Sequence, residues 1–345
     1  MKATVVGAGV FGSSIARQLA MRGWEVELVG ATTPGEHGAS AAQTRLFRFT
    51  QEAGPRYLEL ALRAYADWSA LERETGTRLF VPTGVLNLYA AEDRARGHAA
   101  AEALARHGVG HEELSAGQLA RRFPAVAARH VELGVWEPTA GVLTAADAVR
   151  ALARSAQAHG VTVVRGDRRP PAAGSPAAHR PGRPDVEIWA VGSAVSRLFP
   201  ELTSLRTVRQ DSFHLTPAAA RLLGGVPWVD HSRDAYYVPQ VGDRSAKLVP
   251  DVSFDPARYA AHEPTVRREL AGCAARRLPA DAIAYRTACA YVDAPGSQFH
   301  LGRLDDRPGT WVVSGDSGHG FKHGPAWGRH VADVVEGRAL WDGPR

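Results

Sequence analysis

Two hydrophobic periods share this chain. A short apolar run at residues 3–6 enters the glycine turn GAGVFG, a helical pattern fills residues 13–22, and a second β-rich run covers residues 26–29. That order predicts a strand–turn–helix–strand unit at the start of the chain. Leu58, Leu60, Ala61, Tyr65, Trp68 and Leu71 recur at helical spacing within residues 57–74. Strands around a Thr83-Gly84 turn are predicted over residues 79–89, and an Ala/Arg-rich helix with a solvated face over 92–107. Ser115 is the cap candidate of a helix at residues 115–123. An amphipathic helix is predicted at residues 144–159 and a β-rich run at 161–164. Residues 186–191 read as a buried strand ending at Gly192, and 208–215, 235–239 and 247–249 as strands of an antiparallel sheet. A helix at 264–278, strands at 288–292 and 311–314, a glycine-rich turn at 315–324 and a helix at 326–336 complete the pattern. Residues 167–184 are rich in Pro, Ala, Arg and Gly without an apolar period and read as a loop or disordered linker. Strands that return to the first unit after a long antiparallel insertion predict two interleaved domains, one of α/β and one of antiparallel type.

The opening turn is a G-x-G-x-x-G fingerprint in the right context for a dinucleotide. Gly7 makes the tight turn, Gly9 admits a pyrophosphate to the backbone, and Gly12 lets helix and strand pack closely. The helix N-terminus then offers free N–H groups and a positive dipole end to the phosphate. The plain alternative is a glycine turn that only packs a helix on a sheet. One part of the fingerprint is missing: where an acid normally binds the ribose hydroxyls, the second strand ends in Gly30, and Glu25, Glu27 and Glu36 are out of register.

Composition narrows the field. A length of 345 residues supports a large core, expected in two domains. The net charge of +5 is spread out, with no basic run interleaved with aromatics, so no nucleic-acid partner is expected. Two cysteines, Cys273 and Cys289, suit a reducing compartment rather than a disulfide framework. No apolar run approaches the ~20 residues of a membrane span, and the chain opens directly on a strand, so the expectation is a soluble cytoplasmic protein without a membrane partner. No metal is expected. Lys2, Lys247 and Lys322 are the only lysines in an arginine-rich chain. A lysine kept in such a background suggests a site where a compact ammonium fits and a planar guanidinium does not.

The segment SGDSGHGFKHGPAWG resembles the GxSGHGFK segment of flavin amine oxidases related to monomeric sarcosine oxidase, in the D-amino-acid-oxidase-like superfamily. TRLFRF, RYLELALRAYADWSALERETG, PTGVL, WEPTAGVLTAADAVRALA and YRTACAY match the same family in order and spacing. The resemblance implies a Rossmann-type FAD-binding domain from residues 1–80, 138–200 and 285–345, interleaved with an antiparallel-sheet substrate domain from 81–137 and 201–284. It implies a monomeric enzyme that oxidises the C–N bond of a secondary or cyclic amino acid, or a related carboxylate-bearing amine. Oxygen would be the second substrate and hydrogen peroxide the product.

The same resemblance implies roles residue by residue. Cys289, in ACAY, matches the family's thioether attachment to flavin, a reaction that needs a thiolate; Cys273 is read as structural. Lys247 matches the lysine that activates oxygen, where a fixed cation stabilises developing negative charge. Arg48 and Lys322 match the ligands of the substrate carboxylate, and Arg45 a second arginine close to the flavin. Tyr237, with Tyr236 beside it, matches a tyrosine of the substrate pocket, and Tyr291 shares a strand face with Cys289. Gly7, Gly9, Val10, Phe11, Gly12, Thr44, Arg45, Val164, Gly192, Cys289, Gly315, Gly318, His319, Gly320, Phe321 and Lys322 are the implied cofactor contacts. The chain departs from the family at Asp251 and Ala41, both histidines in close relatives, and at residues 167–184, which replace a β-meander. An acid at 251 would change the charge of the pocket, and close to Lys247 it would partly neutralise that cation. The rival readings are a flavin dehydrogenase with another acceptor, an NAD(P)-dependent oxidoreductase, and a flavin-fold protein that binds a small molecule without turnover.

Overall fold

The computed structural model describes residues 1–51, 54–126, 130–172, 174, 184–232, 235–258, 278–279 and 281–340. The chain opens as its pattern predicts. Strand β1 (Lys2–Val6) leads into helix α1 (Val10–Met21) and then β2 (Glu25–Gly30). Helix α1 starts inside the glycine turn, three residues earlier than the apolar period begins, because small residues there sit against other backbone. A Cβ at Gly12 would overlap the carbonyl oxygen of Gly7, and Gly7 itself has φ +110°.

Seventeen strands form three sheets among the described residues. The remaining strands are β3 (Thr44–Phe47), β4 (Phe80–Val81), β5 (Val85–Ala90), β6 (Glu112–Ser115), β7 (Val131–Glu137), β8 (Gly141–Thr144), β9 (Thr162–Arg165) and β10 (Val186–Trp189). They continue with β11 (Arg206–Leu215), β12 (Trp228–Asp230), β13 (Ala235–Val238), β14 (Lys247–Pro250), β15 (Ile283–Asp293), β16 (His300–Arg303) and β17 (Thr310–Ser314). The first sheet runs β16-β17-β10-β1-β2-β9, parallel except for β16. Its strand order reverses at β1, with β10 on one side and β2 on the other, and that reversal opens a crevice at the strand ends. The second sheet runs β15-β11-β14-β13-β12-β5-β7-β6, antiparallel apart from the β12–β5 pair. A small antiparallel sheet, β3-β8-β4, makes up the third. The interleaved α/β and antiparallel architecture expected from the pattern is present.

The largest apolar core packs α1, helix α2 (Pro55–Thr75) and the helices Ala145–Ala158 and Gly324–Val335 on the parallel sheet. A second core, around Trp228, Tyr237 and Leu248, lies on the eight-stranded sheet. Ser115 caps the helix Ala116–Arg122 through a full capping box with Gln118. Helix Arg94–Arg106 is less solvated than its composition suggests: it buries Gly97, Ala101 and Leu104, and a Cβ at Gly97 would lie 2.6 Å from Leu133. The strands β6, β12 and β16 and the helix Pro217–Leu223 gave no separate signal, being short and, in β6, largely exposed. Residues 173 and 175–183 of the expected linker, most of the expected helix 264–278, and Cys273 lie outside the described residues. The described start of the linker, 167–172, has no regular structure, and Arg168 pairs there with Glu27 and Glu187 at 3.2 and 3.5 Å. No described helix is long and apolar enough to cross a membrane.

Candidate functional site: a dinucleotide cleft opening on a charged pocket

At the β1 switch point lies an outer cleft of about 520 Å³. Its walls are the turn Gly7–Phe11, the end of β2 from Val29 to Thr33, the loop Gly166–Arg169, and Ala190–Ala194 after β10. Gly9 faces Ser40: a Cβ there would come within 3.2 Å of its Oγ, and the Val10 amide at the head of α1 donates to that Oγ at 3.1 Å. The head of α1, where an anion is most stabilised, thus borders the cleft with its first amide held by Ser40. Gly30 has a steric explanation. A Cβ would lie 2.8 Å from both the Ala8 Cβ and the Thr32 carbonyl oxygen, so an acid has no room at this turn. Ala31, Thr32 and Thr33 line the cleft at that end instead.

Several expected contacts fall elsewhere. Val164 lies within β9 beside Val29, and the cleft is lined from Gly166 onward. Gly315, at φ +70°, packs its backbone on Ala294 and His300, while its neighbours Ser314 and Asp316 face the cleft. Thr44 contributes its carbonyl rather than a wall. Gly320 packs against Asp316 and Phe11, where a Cβ would lie 2.6 and 2.8 Å away. Gly192, at φ +55°, lines the cleft.

An inner pocket of about 330 Å³ is built from different elements: the β3 end (Arg45, Leu46, Arg48, Gln51), β11 to β14 (Gln210, Val229, Asp230, His231, Ala235, Tyr236, Asp251) and the turn residues Ser317, Gly318, His319, Phe321 and Lys322. Tyr291 stands at the junction. It lines the outer cleft, and its ring would be 3.4 Å from a Cβ at Gly318, which lines the inner pocket. Lys322 is 5% exposed, and its carbonyl accepts from the Trp68 indole at 2.7 Å. Phe321 stacks on Trp68, so α2 fixes the turn that carries both residues. Arg48 donates to the Thr50 carbonyl at 2.8 Å.

Arg45 ties the two spaces together. Its Nη2 donates to the Ala39 carbonyl at 2.5 Å and reaches the Cys289 sulfur at 3.4 Å. Lys247 lies behind them, 2% exposed, and its ammonium donates to the Thr44 carbonyl at 2.8 Å. Burial first and the Arg45 charge second bring the Lys247 pKa down to about 7, partly opposed by Cys289. Asp251 does not neutralise Lys247. It accepts from Gln210 at 2.7 Å and acts instead on Tyr236 and Tyr291, adding to the burial that holds both phenols protonated.

Tyr237 corrects an expectation. Adjacent residues of a strand face opposite sides, and Tyr237 is the one that points away. It is fully buried against Trp228 and donates to the carbonyls of Ala220 and Gly224 at 3.1 Å each. Its neighbour Tyr236 is the tyrosine in the inner pocket. Sequence reasoning also passed over Asp316, Ser40 and His231. Burial raises the Asp316 carboxyl to about 6, partly countered by the Val292 amide that donates to it at 3.1 Å. Its place inside the recognised glycine-rich turn was the available signal.

Next to the site, His323 is fully buried, and neither ring nitrogen has a hydrogen-bond partner among the described residues. Burial, then the Lys322 charge, holds its pKa well below the ordinary 6.5. The unfolded chain takes up a proton near pH 6.5 that the native state refuses, so His323 favours the fold above that pH and the benefit is lost as pH falls below it. Thermal unfolding between pH 8 and 5.5 is expected to show a falling midpoint that His323→Phe flattens; identical pH profiles for both proteins would contradict this.

Residues 2–334 match the protein family described as FAD dependent oxidoreductase. The chain is 32% identical over 161 residues to monomeric sarcosine oxidase of Bacillus sp. (strain B-0618), covering 46% of this chain and 41% of that protein. It is 36% identical over 169 residues to peroxisomal sarcosine oxidase of Mus musculus, covering 48% and 42%. The matched stretch is thus less than half the length of these relatives. N-methyl-L-tryptophan oxidase of Citrobacter koseri matches at 24% identity over 97% of this chain and 94% of its own length. Among solved structures, L-proline dehydrogenase from P. horikoshii superposes with a TM-score of 0.84 at 20% identity, over 98% of this chain and 94% of the other, a likeness of fold.

Proposed function

Because the chain belongs to the FAD dependent oxidoreductase family, we propose that it oxidises the C–N bond of a secondary or cyclic amino acid, or a related carboxylate-bearing amine, to the imine, with oxygen as acceptor and hydrogen peroxide as product. The observation that carries the reading is the inner pocket, where Arg48 and Lys322 line one space beside the Arg45–Cys289 contact at the end of the dinucleotide cleft. The glycine turn and the β10 end would hold FAD in that cleft, which fits the group: Gly7 and Gly9 leave no side chain where a pyrophosphate must approach. FAD, when bound, supplies the redox chemistry by accepting hydride from the substrate carbon and passing electrons to the acceptor.

The protein's part is orientation and charge. Arg48 offers a planar, two-donor fork to a carboxylate, and Lys322 a compact second cation. Two cations for one acid set which end of the substrate enters first and leave the amine toward Cys289 and Tyr291. Tyr236, held protonated by burial, donates a hydrogen bond and not a charge. The test is to supply N-methylated and cyclic amino acids aerobically and follow oxygen uptake and peroxide. Peroxide in step with substrate loss supports the reading, and no turnover of any such amine contradicts it.

Cys289 is proposed as the point of covalent attachment, its sulfur 3.4 Å from the Arg45 guanidinium between the cleft and the inner pocket. After acid precipitation the colour of the parent protein is expected in the pellet and that of Cys289→Ala in the supernatant. Flavin still bound covalently in the variant would remove Cys289 from this role.

A flavin dehydrogenase is the second reading, and one observation favours it. A Lys247 pKa near 7 leaves that group only partly charged at neutral pH, which weakens the device that would make oxygen a good acceptor.

A further inference from the structure

Glu137 is 0% exposed at the end of β7, yet the described contacts give it no cation. Buried carboxylates survive only when their oxygens are saturated with donors. Glu137 meets that condition in full. One oxygen accepts from the Phe49 amide at 2.6 Å and the Thr50 amide at 3.2 Å. The other accepts from the Thr50 hydroxyl at 2.6 Å and the Asn87 side-chain amide at 2.8 Å.

These contacts run to two walls of the inner pocket. On one side, residues 49 and 50 follow Arg48 directly. Arg48 donates to the Thr50 carbonyl at 2.8 Å, and its own carbonyl accepts from Gln51 at 3.0 Å. The guanidinium is therefore aimed by a short turn whose amides rest on Glu137. On the other side, the Asn87 amide nitrogen donates to Glu137 and to the Val135 carbonyl, at 2.8 and 3.4 Å, so its oxygen must be the acceptor toward His231 Nε2 at 3.2 Å. That assigns the ring proton to Nε2. Tyr89 stacks on the same imidazole with ring centroids 4.6 Å apart and planes 7° from parallel. His231 lines the inner pocket, so hydrogen bond and stack together fix the ring that faces the substrate.

We infer that Glu137 is a positioning residue for substrate binding: through the Phe49–Thr50 amides it aims Arg48, and through Asn87 it fixes His231, so that one buried carboxylate sets both walls of the pocket. A neutral amide cannot replace it. Every partner at both oxygens donates, and in Glu137→Gln the new NH₂ group faces either the two backbone N–H groups or the Asn87 NH₂. The Thr50 hydroxyl can turn to accept, and Asn87 can do so only by flipping its amide, which gives up the Val135 carbonyl and turns an NH₂ group on His231 Nε2.

The inference rests on the reading of the inner pocket as a carboxylate site, and its test separates the two. Acetate is titrated by calorimetry into the flavin-loaded parent and into Glu137→Gln, and KM and kcat are measured with one active carboxylate-bearing amine. Glu137→Gln is expected to bind acetate about tenfold more weakly and to raise KM much more than it lowers kcat, at unchanged flavin content. Acetate affinity and KM equal to the parent's would overturn the inference even if the variant were less stable. Should Glu137→Gln fail to fold, Thr50→Val removes one of the donors without touching the backbone. It is expected to weaken acetate about threefold, and equal affinity there also overturns the inference. A parent that binds no acetate refutes the carboxylate reading itself, and the positioning role with it.

Discussion

Lys247→Met is expected to slow reoxidation of the reduced enzyme by oxygen ~10²–10³-fold while leaving anaerobic reduction by substrate far less affected. Oxygen reduction begins by placing negative charge on a small, poorly solvated molecule. A cation already fixed where that charge develops lowers the barrier without reorganising at the moment of reaction. Lys247 is such a cation: it is buried, held by the Thr44 carbonyl, and close enough to Arg45 for that charge to act on it. The sign of its pH dependence follows. Burial and Arg45 bring the pKa down to about 7, so the ammonium is charged below that pH and neutral above it. Reoxidation in the parent should fall as pH rises through about 7, and the Met variant should show no such step. Stopped-flow mixing of anaerobically reduced protein with oxygen measures both. Equal rates in parent and variant would remove Lys247 from oxygen chemistry, and a uniformly slow parent would favour the dehydrogenase.

Arg48→Ala and Lys322→Ala are each expected to cost ~1.5–3 kcal/mol of substrate binding, roughly 10- to 150-fold in kcat/KM, because each removes a charge-assisted contact to the carboxylate. The two should differ in kind. Arg48 stands on the turn that follows β3 and supplies direction as well as charge, so its loss should also lower kcat by misplacing the amine. Lys322 stands in a turn stapled by Trp68 and Phe321, and Lys322→Ala keeps the backbone carbonyl that accepts from Trp68. Its loss should fall mainly on KM. Steady-state kinetics with one carboxylate-bearing amine separates the two, and unchanged kinetics in both would refute the clamp.

Much of this was legible in the chain itself. The glycine turn predicts β1, α1 and β2 because each small residue answers a steric demand that is local in sequence, and the cleft forms where those glycines stand. The few lysines marked Lys247 and Lys322, and both prove buried. What was not legible depends on which face of an element a residue occupies and on contacts between distant strands. Tyr236 and Tyr237 are identical in composition and adjacent in sequence; only the register of β13 on β12 and β14 decides which one meets the pocket. Glu137 reads as part of WEPTAGVL, and nothing there announces that its donors lie 50 and 88 residues away in Asn87 and Phe49. Asp251 shows the same limit. Its distance in sequence from Lys247 suggested a pair, whereas β14 carries Lys247 inward and Asp251 comes to rest with Gln210 and the two phenols.

The central claim is that the inner pocket selects an amine by its carboxylate and oxidises it. Its most direct measurement is the bleaching of flavin absorbance under anaerobic conditions, with matched pairs of amines that differ only in the acid group, such as proline against pyrrolidine and sarcosine against dimethylamine. The account predicts rapid bleaching by at least one carboxylate-bearing member and little or none by its partner, with the difference shrinking in Arg48→Ala. Equal bleaching by both members of every pair, or none by any carboxylate-bearing amine, would contradict it.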